Sequence, residues 1–440
     1  WQARAGRAGA ARPKYRLQYT ARAAHIPMRQ APATRPFFMT SSSPHAVRSV
    51  NPRWILVVLS MLIAFSPVAL DMYLPALPAI GEDLGASQGA VQMSLSAYFI
   101  GFCISQVVWG PLGDWLGRRA PIAGGIVLFV LGGAGCALSG DAGQLACWRL
   151  VQALGAGEAP VLARAIVRDM YGQDQSARTL SLMMLIMGVA PMVAPLLGGQ
   201  LLLVAGWRSI FWFLCAFGLA ALAALATIPE TLPPARRQGR TLASVAASYV
   251  PLLGSVSYLS YALTGACFYG AMLAYIAGTP FVYIEYFGVP PQYFGFLFSI
   301  NVAGMMVFNV VNRRLVSRIG SQRAMRLGTL VCAASGVALA ACGVSGAFGL
   351  AGVAVPLFVF MSMNGVVGAN SMAGGMSVIP GTAGAASGLY GAVQYGTGAL
   401  TSWLVGLAAD GTPAPMTLTI GIMGLAGVFC AFVMPRWARR

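Results

Sequence analysis

Twelve apolar runs constrain this chain more than any other feature. They lie at about 54–76, 90–111, 120–139, 144–167, 179–203, 207–228, 250–278, 292–314, 325–344, 348–370, 383–407 and 414–434. A helix needs roughly 20 apolar residues to cross the hydrocarbon of a bilayer, and each run comes close to that length or exceeds it. We number them as spans 1 to 12. Only 9% of the residues are charged, against roughly 25% in soluble proteins. The expectation is an all-α membrane protein with 12 transmembrane helices.

The charges that remain give the orientation. With the N-terminus inside, the inner connections hold Arg118, Arg119, Arg168, Arg178, Arg236, Arg237, Arg240, Arg313, Arg314, Arg318, Arg323 and Arg326, and the tail adds Arg436, Arg439 and Arg440. The outer connections hold only Arg208. The positive-inside rule then places both termini in the cytoplasm and requires an even number of spans. An error of one span would scramble the alternation, so the asymmetry also supports twelve.

The net charge of +17 carries no sign of nucleic-acid binding, because ten of the 28 basic residues and none of the 11 acidic ones lie in the first 53 positions. That stretch is rich in Arg, Ala and Pro without hydrophobic periodicity, and disorder is expected there. It reads either as a transit-like leader or as sequence upstream of a start at Met39. Eight cysteines are scattered singly through apolar runs with no CxxC pair, so neither a zinc site nor a disulfide framework is indicated. Both histidines, His25 and His45, precede the first run. No clustered nucleophile, base or metal set suggests an enzyme.

Charges inside the runs stand out. Asp71 lies deep in span 1, about 25 Å of helix rise from Trp54 and so nearer the outer surface. Arg149 lies in span 4, followed by Glu158 and Arg164. Ionisable groups in hydrocarbon are costly and usually face an internal cavity. Arg149, Gln152 and Gly157 recur at spacings of three to five and can share a helix face. The plain alternatives are a wetted carboxylate for Asp71, a snorkelling side chain for Arg149 and an ion-pair partner for Glu158. A buried carboxylate that takes up and releases a proton suits proton coupling. An arginine that never deprotonates supplies fixed positive charge.

Three polar or glycine-rich stretches complete the pattern. "PETLPPARRQGRTLAS", 229–244, divides the spans six and six and reads as a cytoplasmic linker. "GPLGDWLGRR", 110–119, follows span 2, and "RRLVSRIGSQR", 313–323, follows the second span of the second half. Such a degenerate repeat suggests two related halves. "GVAPMVAPLLGGQ", 188–200, places Gly188, Pro191, Pro195, Gly198 and Gly199 in span 5. Such residues permit kinks and close helix approach in membranes, as a hinge or as static packing. Tyr98, Met187 and Tyr269 are candidates for lining an adaptable cavity.

These motifs together resemble the major facilitator superfamily, and within it the Bcr/CflA drug-resistance transporters among the drug:proton antiporters. The resemblance covers about 50–436. "GPLGDWLGRR" matches the loop 2–3 signature, "RLVQALGAG" the span-4 arginine motif and "GVAPMVAPLLGG" the span-5 antiporter motif. "LDMYLPALPAI" and "PETLPPARR" resemble stretches distinctive of the group. Trp115 departs from the basic residue of many relatives, and Glu158 and Arg164 are charges where relatives are usually apolar or polar.

The resemblance implies two pseudo-symmetric six-helix bundles that rock about a central cavity. The expected organisation is an extension at 1–50, bundles at 51–228 and 246–436, a linker at 229–245 and a tail at 437–440. It implies export of small hydrophobic or amphipathic drug-like molecules against proton entry, by a monomer in the bacterial inner membrane, with a proton gradient in place of a cofactor. An importer of metabolites or sugars within the superfamily is the alternative. Asp71, Arg149 and Glu158 are the proton and substrate candidates, with Tyr98, Gln152, Met187 and Tyr269 lining the cavity. Gly110, Asp114, Gly117, Arg118, Arg119 and Asp169 form an expected latch, in which Asp114 docks on the N-terminus of span 11.

Overall fold

The computed structural model describes residues 52–171, 173–237, 242–379 and 383–437, with side chains left out at some positions within these ranges. The expected extension at 1–50, Arg240 and most of the tail at 437–440 lie outside the described residues.

The described residues are helical throughout their long elements, and ten helices are long and apolar enough to cross a membrane. One of these, Leu182–Ala226, holds two spans. It belongs to the 54-residue helix Gln173–Ala226, which breaks only at Gly206, where φ is 72°. That backbone conformation favours glycine, so Gly206 makes the turn between spans 5 and 6. Pro191 and Pro195 sit inside the helix without ending it. An eleventh helix, Ala383–Leu407, is rich in Gly, Ser, Thr and Tyr, falls outside the ten and supplies the remaining span. The expected twelve spans are therefore all present.

Several spans are broken along their length. Span 1 runs from Trp54 to Asp83, further than the sequence suggests. Its first helix ends at Asp71, a 3-10 turn covers Leu74–Ala76, and a second helix covers Leu77–Asp83. Pro75 and Pro78 start the two later pieces, where a missing N–H costs nothing. Asp71 thus stands well inside the span, not near its end. Span 4 breaks at Gly157, between helices Ala142–Ala156 and Glu158–Met170. Span 7 is shorter at its start than expected: Leu242–Leu253 is a separate helix, and Ser255 caps the helix Val256–Pro280 by accepting from the N–H of Tyr258.

Glycines set the packing within the first half. A Cβ on Gly101 would lie 2.5 Å from the carbonyl oxygen of Leu150, and one on Gly132 would lie 2.5 Å from the backbone nitrogen of Gln152. Spans 2 and 3 therefore press directly on the backbone of span 4, as small residues allow in membranes. This holds Arg149 and Gln152 on a rigid wedge. In the second half, span 7 packs on spans 10, 11 and 12, and span 9 packs on span 12. The two halves meet where span 2 faces span 11 and where helix Gln173–Ala226 faces span 8.

Candidate functional site

The break in span 1 is the centre of the site. Arg149 is fully buried, and its Nη1 donates to the carbonyl of Ala69 at 3.2 Å and to Oε1 of Gln152 at 2.7 Å. The guanidinium lies between two rings, 4.5 Å from the centroid of Tyr73 and 4.2 Å from that of Tyr98. Such stacking stabilises a cation by about 0.5–2 kcal/mol per ring. Tyr73 is itself held by a hydrogen bond to the hydroxyl of Ser94. Arg149 therefore occupies the C-terminal end of the first helix of span 1, where the helix dipole favours positive charge. Arg149 and Gln152 share the face the sequence indicated. Gly157 instead abuts Ser105 of span 2.

Asp71 is buried, and no ion pair joins it to Arg149 among the described residues. Its carboxylate interacts electrostatically with the hydroxyls of Tyr98 on span 2, Tyr269 and Tyr275 on span 7, and Tyr395 on span 11. These tyrosines come from both halves, so Asp71 lies near the seam, the place where the halves meet. Tyr395 packs on Phe102 at 4.4 Å and on Tyr269 at 5.1 Å between ring centroids. Arg164 also acts on Tyr395, and its Nε donates to the carbonyl of Pro160 at 2.6 Å. Tyr395 is not distinguished in the sequence, because its neighbours in "GAVQYGTG" are mostly small residues and nothing local marks it.

Glu158 is fully buried, and both its carboxylate oxygens lack a partner among the described residues. Gly125 of span 3 makes room for it, since any Cβ there would collide with its side chain. It does not pair with Arg164. Met187 is more than a third exposed and is not brought to the tyrosine cluster by any described contact.

The loop 2–3 residues form a second cluster. Arg118 bridges two acids, with Nη1 2.8 Å from Asp114 and Nε 2.8 Å from Asp169. Asp114 makes no described hydrogen bond to span 11, and residues 380–382 at the start of that span lie outside the described residues. Gly110 faces open space, whereas Gly117 has φ of 96° and a Cβ there would lie 2.6 Å from Oε2 of Glu230. The expected linker is thus packed at its start. Glu230 accepts from the backbone N–H of Arg118 at 2.9 Å, of Arg119 at 3.1 Å and of Leu232 at 2.9 Å. It caps span 3, whose own first residues offer no side-chain cap. Burial raises its proton affinity, but these N–H donors outweigh burial and hold the carboxyl below its ordinary value. Arg119 reaches the carbonyl of Ala226 rather than Asp169.

In the span-5 motif the paired glycines divide the work. A Cβ on Gly198 would collide with the carbonyl oxygen of Met72 at the span-1 break. One on Gly199 would lie 3.1 Å from the carbonyl of Pro291 in span 8, across the seam. Gly188 faces Met306 of span 8. The seam is further bonded by Gln92 Nε2 to the carbonyl of Ala277 at 3.1 Å, by Ser96 to Ser402 at 3.1 Å and by Ser299 to the carbonyl of Met192 at 2.9 Å.

A family model described as Major Facilitator Superfamily matches residues 59–402. The chain belongs to the Major Facilitator Superfamily. Curated members of the superfamily resemble it along most of their length. An uncharacterized MFS-type transporter, YdgK of Bacillus subtilis, is 35% identical over 85% of this chain and 94% of its own. A bicyclomycin resistance protein homolog of Haemophilus influenzae is 29% identical over 86% of this chain and 95% of its own. Multidrug resistance protein D of Escherichia coli is 27% identical over 87% and 95%. Among solved structures, a D-xylose-proton symporter superposes with a TM-score of 0.71 at 17% identity, covering 87% of this chain and 97% of that one. That match shows the shared fold of a superfamily transporter. The superfamily assignment agrees with the Bcr/CflA motifs of the sequence and with a non-enzymatic, multi-pass membrane protein.

Proposed function

We propose that this chain exports small hydrophobic or amphipathic drug-like molecules in exchange for protons, by alternating access between its two bundles. The bundles are assigned to 51–228 and 246–436, joined through 229–245. The drug-resistance names of its relatives support the substrate class. The observation that carries the mechanism is Asp71, a buried carboxylate at a helix break, within electrostatic reach of tyrosines from both halves. A group so placed exchanges a proton for a substrate when the seam opens on either side.

Arg149 fixes the break that presents Asp71. Glu158, sealed behind Gly125, is a second protonatable group away from the seam. Loop 2–3, clamped by Arg118 and Glu230, is the latch, with both termini on its cytoplasmic side. The protein works as a monomer in the bacterial inner membrane and draws on the proton gradient. A pump-deficient bacterial host expressing the chain, challenged with an antibiotic panel and assayed for accumulation, tests this. Raised resistance with reduced accumulation supports export; raised accumulation of a solute under a proton gradient identifies an importer instead.

A further inference from the structure

A groove of about 430 Å³ lies at the end of the seam where span 2 begins and span 11 ends. Its walls come from both bundles: Gly89, Ala90 and Met93 on one side, Trp403, Gly406 and Leu407 on the other. Gly89 packs closely on the backbone of Gly406, so the groove borders a direct contact between the two bundles. The hydrogen bonds Gln92 to Ala277 and Ser96 to Ser402 lie just beneath. Met93, Trp403 and Leu407 are 51%, 42% and 69% exposed. They continue two apolar strips, Ile100 and Ile104 on span 2 and Leu400 and Leu404 on span 11, that are exposed along membrane-spanning helices. The groove is therefore continuous with the lipid-facing surface. Ser87 and Gln88 add polar groups to its lining.

We infer that this groove binds an acyl chain of a phospholipid from the adjacent leaflet, and binds it only while Gly89 and Gly406 are in contact. A ligand whose site is built from two moving bodies favours the state that assembles it. Lipid occupancy and closure of this end are then linked, each favouring the other by the same factor. This linkage rests on the alternating-access reading; the site itself does not.

The test uses the full chain in nanodiscs of phosphatidylethanolamine and phosphatidylglycerol containing a trace of phospholipid with a mid-chain diazirine. After illumination, labelled peptides are mapped. In the wild type the label should concentrate on the segments around Met93 and Trp403. Ala90→Phe fills the groove without touching the Gly89–Gly406 contact, and should reduce that labelling about tenfold, the equivalent of roughly two buried methylenes. Gly89→Val forces the two ends apart and should reduce it similarly. Label spread evenly over all lipid-facing spans in the wild type overturns the site, as does unchanged labelling in Ala90→Phe. Cross-linked dimers through this face would show that a second copy fills the groove and also overturn it. Labelling lost in Ala90→Phe but retained in Gly89→Val overturns the linkage alone.

Discussion

Arg149 donates from Nη1 to the carbonyl oxygen of Ala69, two residues before Asp71, and forms no ion pair with Asp71 itself. The arginine therefore supports the carboxylate through the backbone that carries it. A broken helix inside a membrane leaves carbonyls without partners, and each needs one. Arg149 supplies it with a group that cannot lose its charge, held between the rings of Tyr73 and Tyr98. Lysine keeps the charge but loses the planar stack and the simultaneous reach to Gln152. Arg149→Lys should lower export roughly ten- to hundredfold, the equivalent of a lost charged hydrogen bond of about 1.5–3 kcal/mol. Expression and monodispersity should be kept. Drug-accumulation assays with matched membrane levels check this; transport within twofold of wild type, about 0.4 kcal/mol, would remove Arg149 from the site.

The two glycines of the span-5 motif should separate folding from cycling. Gly198 abuts the Met72 carbonyl within its own bundle, so Gly198→Ala forces backbone apart there. A loss of about 1–3 kcal/mol in stability is expected, as for other overpacked sites. Gly199 faces Pro291 across the seam at 3.1 Å, where a small shift of one bundle relieves the contact. Gly199→Ala should leave thermal stability in detergent nearly unchanged and alter transport rate. Thermal unfolding and flux measured on the same two preparations distinguish them.

Glu230 sets a pH dependence on the loop side. Its folded proton affinity is lowered, so its stabilising contribution is full above the ordinary carboxylate range and is lost as pH falls through the lower, folded value. Glu230→Gln should cost about 1 kcal/mol at neutral pH, the typical value of a helix cap. The variant and wild type should then converge on acidification below about pH 4, the unperturbed glutamate range. Melting curves from pH 7 to pH 3.5 report this; a constant difference across that range would mean that the carboxylate charge is not what caps span 3.

Asp114 is nearly half exposed and, among the described residues, paired with Arg118 at i+4, a geometry that contributes little to stability. Asp114→Asn should therefore keep topology and melting temperature while slowing export, because its task is expected in the other state, at span 11. Cysteine-accessibility labelling of the loop side, on a background without native cysteines, should rise. Unchanged labelling together with unchanged transport would leave the loop as a marker of topology.

Most of the fold was legible because hydrocarbon imposes a simple rule. A run of about twenty apolar residues is long enough to cross as a helix, and the bias of arginines to one side sets the expected orientation. Even span 11 was found this way, although its glycines and tyrosines dilute it. The breaks were harder. Asp71 reads as the outer end of span 1 when the helix is assumed continuous, yet Pro75 and Pro78 restart it and carry it on to Asp83. Arg149 and Gln152 were recognisable as one face from their spacing alone. Glu230 was not recognisable, because its partners are the backbone N–H groups of residues over a hundred positions away. Tyr395 was missed for the same reason: only the meeting of spans 2, 7 and 11 gives it a role.

Asp71 is proposed to carry the proton that drives export. Purified wild type, Asp71→Asn and Glu158→Gln, reconstituted in liposomes with an imposed proton gradient, give the most direct measurement: proton entry coupled to uphill movement of a drug identified by the resistance panel. Asn keeps the size of the side chain and cannot ionise. Asp71→Asn should abolish both proton entry and uphill transport while still binding a neutral drug, and Glu158→Gln should retain coupled transport. Undiminished uphill transport by Asp71→Asn would contradict it, and inactivity confined to Glu158→Gln would move the proton site to span 4.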